Sequence, residues 1–345
     1  MEFAPFVDLL GGEGAEAWEI LTESRIALER GEDVIVLSIG DPDLETPGFV
    51  VNAAVDALRN GDTHYTELEG RSSLRSAIAS KLSSSAGVRI DPDWVTVLAG
   101  TQNAFYSACR CLFGAGDEVI VLDPSYVTYE ASIASTGAKQ VRVEQPASDG
   151  FRPRIDAIEA AVTPATKGIV FSNPSNPTGV ALRKEELEAI ARLAVDNDLW
   201  VVVDEVYSDL VFEGAHHSIV GMPEMLERTV TVSSVSKSYA MTGWRCGWAV
   251  GPSELGSHLR KMSLINLYGL PGFIMEAANT ALREGAQEIE TARAIYKARR
   301  NLVLEELGKA SEMPLLVPEA GMFLMADVRA HNMNANNFAW DLYRS

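Results

Sequence analysis

Between residues 95 and 251 the chain alternates short apolar runs with longer segments of mixed polarity. The runs are VTVLAG (95–100), EVIVLD (118–123), GIVFSN (168–173), WVVVDE (200–205), TVTVSS (229–234) and CGWAVG (246–251). TQNAFYSACRCLF (101–113) and RKEELEAIARLAVDN (183–197) read as helices. In the second, Leu187, Ile190, Ala191 and Ala194 recur at the spacing of one helical face. Strands that are apolar throughout and are linked by helices predict an α/β fold, with a mostly parallel sheet covered on both faces. The ends read differently. VIVLSIG (34–40) predicts one strand, the chain is helical from about residue 285, and GMFLMADV (321–328) predicts another strand. The pattern therefore predicts a large domain over 46–285 and a smaller one built from 1–45 and 286–345. ANNFAWDLYRS begins a helical pattern and stops at Ser345, so the smaller domain is expected to be incomplete at its C-terminal end.

Polar clusters follow the strands. Gly100-Thr101-Gln102 follows the first, Asp123-Pro124-Ser125-Tyr126 the second and Asn173-Pro174-Ser175-Asn176-Pro177-Thr178-Gly179 the third. Asp204-Glu205-Val206-Tyr207 and Ser233-Ser234-Val235-Ser236-Lys237 follow the next two. In an open α/β sheet, ligands bind beyond the carboxyl ends of the strands, so these clusters should face one crevice. Taken singly, each has an ordinary reading. Gly-Thr at a helix start is an N-cap as readily as an anion site. Asp204 can cap a helix, and two Asn-Pro pairs make a turn. Their alignment on one rim is what points to a ligand.

Formal charge is −19, which opposes binding to nucleic acid and to anionic membranes. Lys237 and Arg245, eight residues apart between tryptophans and small hydroxyl residues, stand out against that background. The start, MEFAPFVDLLGGEGAEAW, lacks a basic region and carries Glu2 and Asp8, unlike a signal peptide. Apolar runs fall short of the ~18 residues of a membrane span. Cys109, Cys111 and Cys246 form no disulfide framework and fit a reducing compartment, so a cytoplasmic location is expected. His64, His216, His217, His258 and His331 lack metal-ligand spacing.

SIGDPD (38–43), HYTELEGRSSLR (64–75), AGTQNA (99–104), DPSYVTYE (123–130), NPSNPTG (173–179), DEVYSDL (204–210) and SVSKSYAMTGWRCGW (234–248) occur in order. Together they resemble the class I/II aminotransferases, pyridoxal-phosphate enzymes of fold type I. The resemblance implies that Lys237 forms the Schiff base with the cofactor aldehyde and that Arg245 clamps its phosphate bidentately. Ser234, Ser236, Gly100, Thr101 and Gln102 would complete the phosphate site. Asp204 would pair with the pyridine nitrogen, Tyr207 and Asn176 would bond the ring oxygen, and Tyr126 would stack on the ring. Gly40 and Asn176 would lie near the substrate carboxylate. Tyr65 is similar to a tyrosine that reaches the phosphate of the neighbouring subunit, which implies a homodimer. The implied reaction is ping-pong transfer of an α-amino group from an L-amino acid to a 2-oxo acid. The arginine that clamps the substrate carboxylate in the family has no matching motif before Ser345; Arg329 and Arg344 do not fit one. The activity of the chain as written is therefore left open.

GEGAEAWEI, THYTELEGRSSLR, DPSYVTYEA and NLYGLPGFI (266–274) are closest in pattern to arginine–pyruvate transaminases. A cationic side chain calls for a pocket acid. Glu13 and Glu16 are candidates, with Trp18 and Tyr268 as walls; the plainer reading of each is a solvated helix start or packing. Three other readings stand beside this one. The same cofactor supports a C–S β-lyase. A non-catalytic protein can keep the fold. Gly12 to Ala17 matches a dinucleotide fingerprint by letter, but without a flanking strand and with acids that repel pyrophosphate.

Overall fold

The computed structural model describes residues 3, 5–10, 17–310, 313–331 and 333–345. Three helices come first: α1 (Ala17–Glu29), α2 (Gly48–Arg59) and α3 (Ser72–Ala86). The central part runs β1 (Val95–Leu98), α4 (Gly100–Leu112), β2 (Glu118–Asp123), α5 (Thr128–Ala134), β3 (Lys139–Glu144) and α6 (Ile155–Ala160). It continues with β4 (Thr166–Ser172), α7 (Lys184–Asp196), β5 (Trp200–Asp204), β6 (Thr229–Ser234) and β7 (Gly247–Val250). The remainder is α8 (Ser253–Asn266), α9 (Gly272–Glu284), α10 (Ala286–Ala310), the short pair β8 (Leu315–Leu316) and β9 (Met325–Ala326), and α11 (Ala335–Arg344).

Strands β1 to β7 form one sheet in the order β1-β7-β6-β5-β4-β2-β3. Strand β7 pairs antiparallel with both of its neighbours, and the other pairs are parallel. Reversing direction twice leaves β1 parallel to β6. Six strands therefore end on one edge, and β7 begins there. This edge collects the polar clusters.

The pleat sends alternate residues of each strand to opposite faces. Ile169, Phe171, Val201 and Val203 pack with Leu187, Ile190 and Ala191 of α7. Val170, Val202, Val230 and Val232 pack with Phe105 and Ala108 of α4 and Leu259 of α8. With both faces covered, β5 is Val-Val-Val, because either orientation buries the side chain. Each fully buried side chain of this size contributes roughly 1.5–3 kcal/mol. Helix α7 begins where the backbone N–H of Arg183 donates to Glu186 Oε2 at 2.7 Å, which satisfies one of the free donors of its first turn.

Three local expectations change. KQVRVE (139–144) forms β3, although only Val141 and Val143 mark it as apolar; it lies at the sheet edge, where one side of the strand is wet. Residues 34–40 do not form a strand. Ile35 and Leu37 are 83% and 89% exposed, and the ladder partner that a strand requires is not supplied by an apolar pattern. Of 321–328 only Met325–Ala326 pairs, with Leu315–Leu316. Helix α11 forms as expected and lies against α1. Among the described residues, no helix is long and apolar enough to cross a membrane.

Candidate active site

Lys237 projects from the loop between β6 and β7, on the edge where six strands end. Its ammonium donates to the carbonyl of Gly40, so the SIGDPD segment forms one wall of the crevice. Burial pulls its pKa below the ordinary lysine value; the charges of Asp41 and Asp204 oppose this, and Arg245 adds to it. The loop is pinned on several sides. Thr46 Oγ1 donates to the Ala240 carbonyl at 2.7 Å, Trp244 Nε1 donates to Thr46 Oγ1 at 3.1 Å, and Thr242 Oγ1 donates to Asp41 at 2.6 Å. Two non-glycine residues of the loop, Ala240 and Arg245, are left-handed, at φ 51° and 55°. Such backbone persists only where its surroundings over-determine it.

Arg245 lies across the N-terminus of α4. Its Nη1 donates to the Thr242 carbonyl at 2.8 Å and its Nη2 to the Ala99 carbonyl at 3.2 Å. Gly100 makes this approach possible: at φ +85°, a Cβ there would stand 2.5 Å from Arg245 Nη2. Gly247 lies opposite Leu98 and Ser234, between the ends of β1 and β6. A Cβ on it would meet the Gly100 backbone at 2.5 Å. The N-cap residue Ala99 supplies no side-chain cap to α4, which leaves the N–H groups of its first turn open to another acceptor. Thr101 Oγ1 is buried without a partner. The Gln102 side chain is taken by Ser132 and Thr128, which leaves its backbone N–H. Ser234 and Ser236 are buried at the end of β6, where Ser236 N donates to Ser234 Oγ at 3.2 Å. A guanidinium, a helix N-terminus and an orphaned hydroxyl in one place form a cradle for an anion.

Asp204 ends β5 and is 7% exposed. Its Oδ1 accepts from Val206 N at 3.0 Å and its Oδ2 from the Tyr129 hydroxyl at 2.9 Å. Burial raises its pKa to about 6; the two hydrogen bonds and Lys237 act the other way, and the charge of Glu205 adds to the rise. A carboxylate in this state is poised to take a cationic partner, which would return it to the ionised form. Sequence reasoning missed Tyr129. The signal was there: DPSYVTYE carries Tyr129 three residues after Tyr126, in the first turn of α5. Tyr129 is buried, stacks on Phe105 with centroids 4.3 Å apart, and meets Tyr126 edge-on at 5.8 Å.

Tyr207 is buried beside Phe323, edge to face at 4.8 Å, and burial and the Asp204 charge push its hydroxyl well above its ordinary pKa. Tyr126 is raised for the same two reasons. Asn176 is set by its turn, its N–H donating to Ser172 Oγ at 3.0 Å. Lys237, Asp204, Arg245, Tyr126 and Tyr207 are thus within electrostatic reach of one another. Gly40 contributes a carbonyl to the same crevice. Tyr65 stands apart, 85% exposed, against Tyr268 at 4.8 Å between centroids. Trp18 is 42% exposed on α1. Glu13 and Glu16, like Gly12 and Gly14, lie outside the described residues. Arg329 is paired with Asp327, and Arg344 with Asp341. The arrangement offers an amine of lowered basicity, a buried carboxylate and an anion cradle in a single crevice.

Comparison with known proteins gives a consistent picture. Residues 32–343 match the aminotransferase class I and II family. The arginine–pyruvate transaminase AruH of Pseudomonas aeruginosa is 43% identical over 339 residues, covering 98% of this chain and 86% of that protein. An aspartate aminotransferase of Pyrococcus abyssi is 35% identical, over 89% of this chain and 80% of that protein. Among solved structures, the Thermus thermophilus aspartate aminotransferase with maleate superimposes with a TM-score of 0.91 at 33% identity, covering 96% of this chain and 86% of that one. The Thermotoga maritima aspartate aminotransferase gives 0.92 at 31% identity, over 99% and 89%. With a matching family pattern over nearly all of its length and the fold to go with it, the chain belongs to the class I and II aminotransferases, and is an enzyme of that class.

Proposed function

We propose that this aminotransferase uses pyridoxal 5′-phosphate held by the crevice residues, with L-arginine as amino donor and pyruvate as acceptor, in a ping-pong reaction. The observation that carries the cofactor reading is the convergence of three unlike groups: the half-buried Lys237 amine, the buried Asp204 carboxylate, and the cradle of Arg245 and the α4 N-terminus. Their chemistry fits a molecule that carries an aldehyde, a basic ring nitrogen and a phosphate dianion. The donor and acceptor are proposed from the 43% identity to AruH.

When bound, the cofactor supplies an electron sink for the charge that develops at the substrate Cα. Arg245, the Thr101 hydroxyl, Ser234, Ser236 and the N–H groups of Gly100, Thr101 and Gln102 hold the phosphate. Asp204 would hold a proton on the ring nitrogen, and its bonds from Tyr129 and Val206 keep it oriented. Tyr207 and Asn176 would donate to the ring oxygen, and Tyr126 would cover one ring face. Lys237 Nζ, with its lowered pKa, would be the group that accepts the Cα proton of the donor and gives it back. Each half-reaction uses the same amine in opposite directions. The donor leaves as its 2-oxo acid before the acceptor enters.

The test is the near-visible absorption of the purified protein with pyridoxal 5′-phosphate. A yellow band is expected, absent in Lys237→Ala. L-Arginine should bleach it and pyruvate should restore it. A band that L-aspartate bleaches and L-arginine leaves intact would overturn the donor assignment.

A further inference from the structure

We propose that Asp209 is a positioning residue for Lys237, holding the hydroxyl of Ser238 and so fixing the backbone from which the lysine projects. The inference rests on the reading of Lys237 as the amine that condenses with the cofactor. Asp209 lies in the turn after β5, five residues beyond Asp204, yet it does not face the cofactor crevice residues described above. Its carboxylate accepts three hydrogen bonds from two groups. Lys81 Nζ, from α3, reaches Oδ1 at 2.8 Å and Oδ2 at 2.7 Å. Ser238 Oγ reaches Oδ2 at 2.6 Å. Ser238 is 4% exposed and follows Lys237 directly, so this bond acts one residue from the reacting amine. The Asp209 backbone is held as well: Arg293 Nε, from α10, donates to its carbonyl at 3.0 Å.

The loop needs such holds. Ala240, three residues after Lys237, is left-handed at φ 51°, and the wall formed by Thr46 and Asp41 grips only the far side of the loop, at Ala240, Thr242 and Trp244. Asp209 is the grip on the near side. Lys81 does two things there. It neutralises the carboxylate, and its ammonium stands 5.8 Å from the ring centroid of Tyr239, the next residue of the loop. Helix α3 and the turn after β5 thereby clamp Ser238 and Tyr239 together. A reacting amine displaced by even a fraction of an ångström loses rate while the fold persists.

The experiment follows the yellow band as cofactor-free protein is mixed with pyridoxal 5′-phosphate. It records the growth rate and the pH midpoint of the band for the wild type, Ser238→Ala, Ser238→Thr, Asp209→Ala and the Asp209→Ala/Ser238→Ala pair. Ser238→Ala is expected to slow growth roughly tenfold and to move the midpoint. Threonine, which keeps the hydroxyl, should restore both. The double variant should be no slower than Asp209→Ala, because both changes break the same bond. Wild-type growth and midpoint in Ser238→Ala, or effects that multiply in the double variant, would overturn the proposal. If Asp209→Ala does not fold, Ser238→Ala decides alone, since it leaves the Lys81–Asp209 pair in place. Lys237→Ala separates the two readings. A band that survives this change removes Lys237 as the condensing amine, and the inference with it, whereas its loss together with a wild-type Ser238→Ala sinks the inference alone.

Discussion

Asp204 shows how a functional residue works against its own fold. Without a cationic partner, a carboxylate with its pKa raised from 3.8 to about 6 binds its proton more tightly folded than unfolded. Its contribution to stability is fully present below the unfolded value and is lost as pH rises through about 6. Above that pH the ionised group destabilises the cofactor-free protein by on the order of 3 kcal/mol. Asp204→Asn removes this penalty. Thermal melts of cofactor-free protein should show the variant gaining on the wild type between pH 4 and pH 6 and holding the gain above it. Adding pyridoxal 5′-phosphate should reverse the order. Tyr129→Phe probes the same carboxylate from the other side. It deletes the 2.9 Å bond to Oδ2 and keeps the ring stacked on Phe105. Cofactor affinity, measured by equilibrium dialysis, should fall, because the bond favours the ionised carboxylate that a cationic ring requires, but by less than the ~1.5–3 kcal/mol of a hydrogen bond to a charged group, since the bond is also made without the cofactor.

At the scale of elements, turns do as much as strands to shape the site. The turn at 173–179 carries Asn176 and docks on residues 318–320, whose Glu319 and Ala320 N–H groups both donate to the Gly179 carbonyl at 2.9 Å. Glu319 also accepts from Ala181 N at 2.9 Å and pairs with Arg152. Gly179 sits at φ +70°, and a Cβ there would stand 2.4 Å from Pro318 Cβ and 2.7 Å from the Ala320 carbonyl. Gly179→Ala should therefore lower stability by more than the ~1–3 kcal/mol of left-handed strain alone, read as the urea midpoint. It should also weaken cofactor binding, because Asn176 moves with the turn. The glycine was visible in NPSNPTG, but its contact with residues about 140 positions away was not. Strand prediction divides on similar lines. Strands β2 and β6 have the bounds of their apolar runs, because both faces of those strands are covered. Strand β3 escaped because an edge strand keeps polar side chains on its wet side.

For the molecule as a whole, Tyr65 raises the question of whether the site is complete in one chain. It is exposed, with its ring against Tyr268. Complementation tests this. Tyr65→Phe and Lys237→Ala should each be impaired, and mixing them under subunit exchange should recover up to about a quarter of wild-type activity. That fraction follows because half of the dimers are hybrids with one intact site. Failure to recover, with exchange verified by mass spectrometry, would mean that both residues serve the site of their own chain.

The sequence by itself determined six of the seven strands, the helices α4 and α7 that cover them, and the family, since these rest on periodicity and on contiguous motifs such as SVSKSYAMTGWRCGW. Only the tertiary structure decided how those motifs meet. The reversed strand β7 sets Gly247 between β1 and β6, so that Arg245 crosses the start of α4. The pairing of Tyr129 with Asp204 spans 75 residues, and that of Lys81 with Asp209 spans 128. Bonds between residues so far apart leave no spacing for a sequence to display. They depend on which strand lies beside which, and that is set by packing summed over the whole sheet.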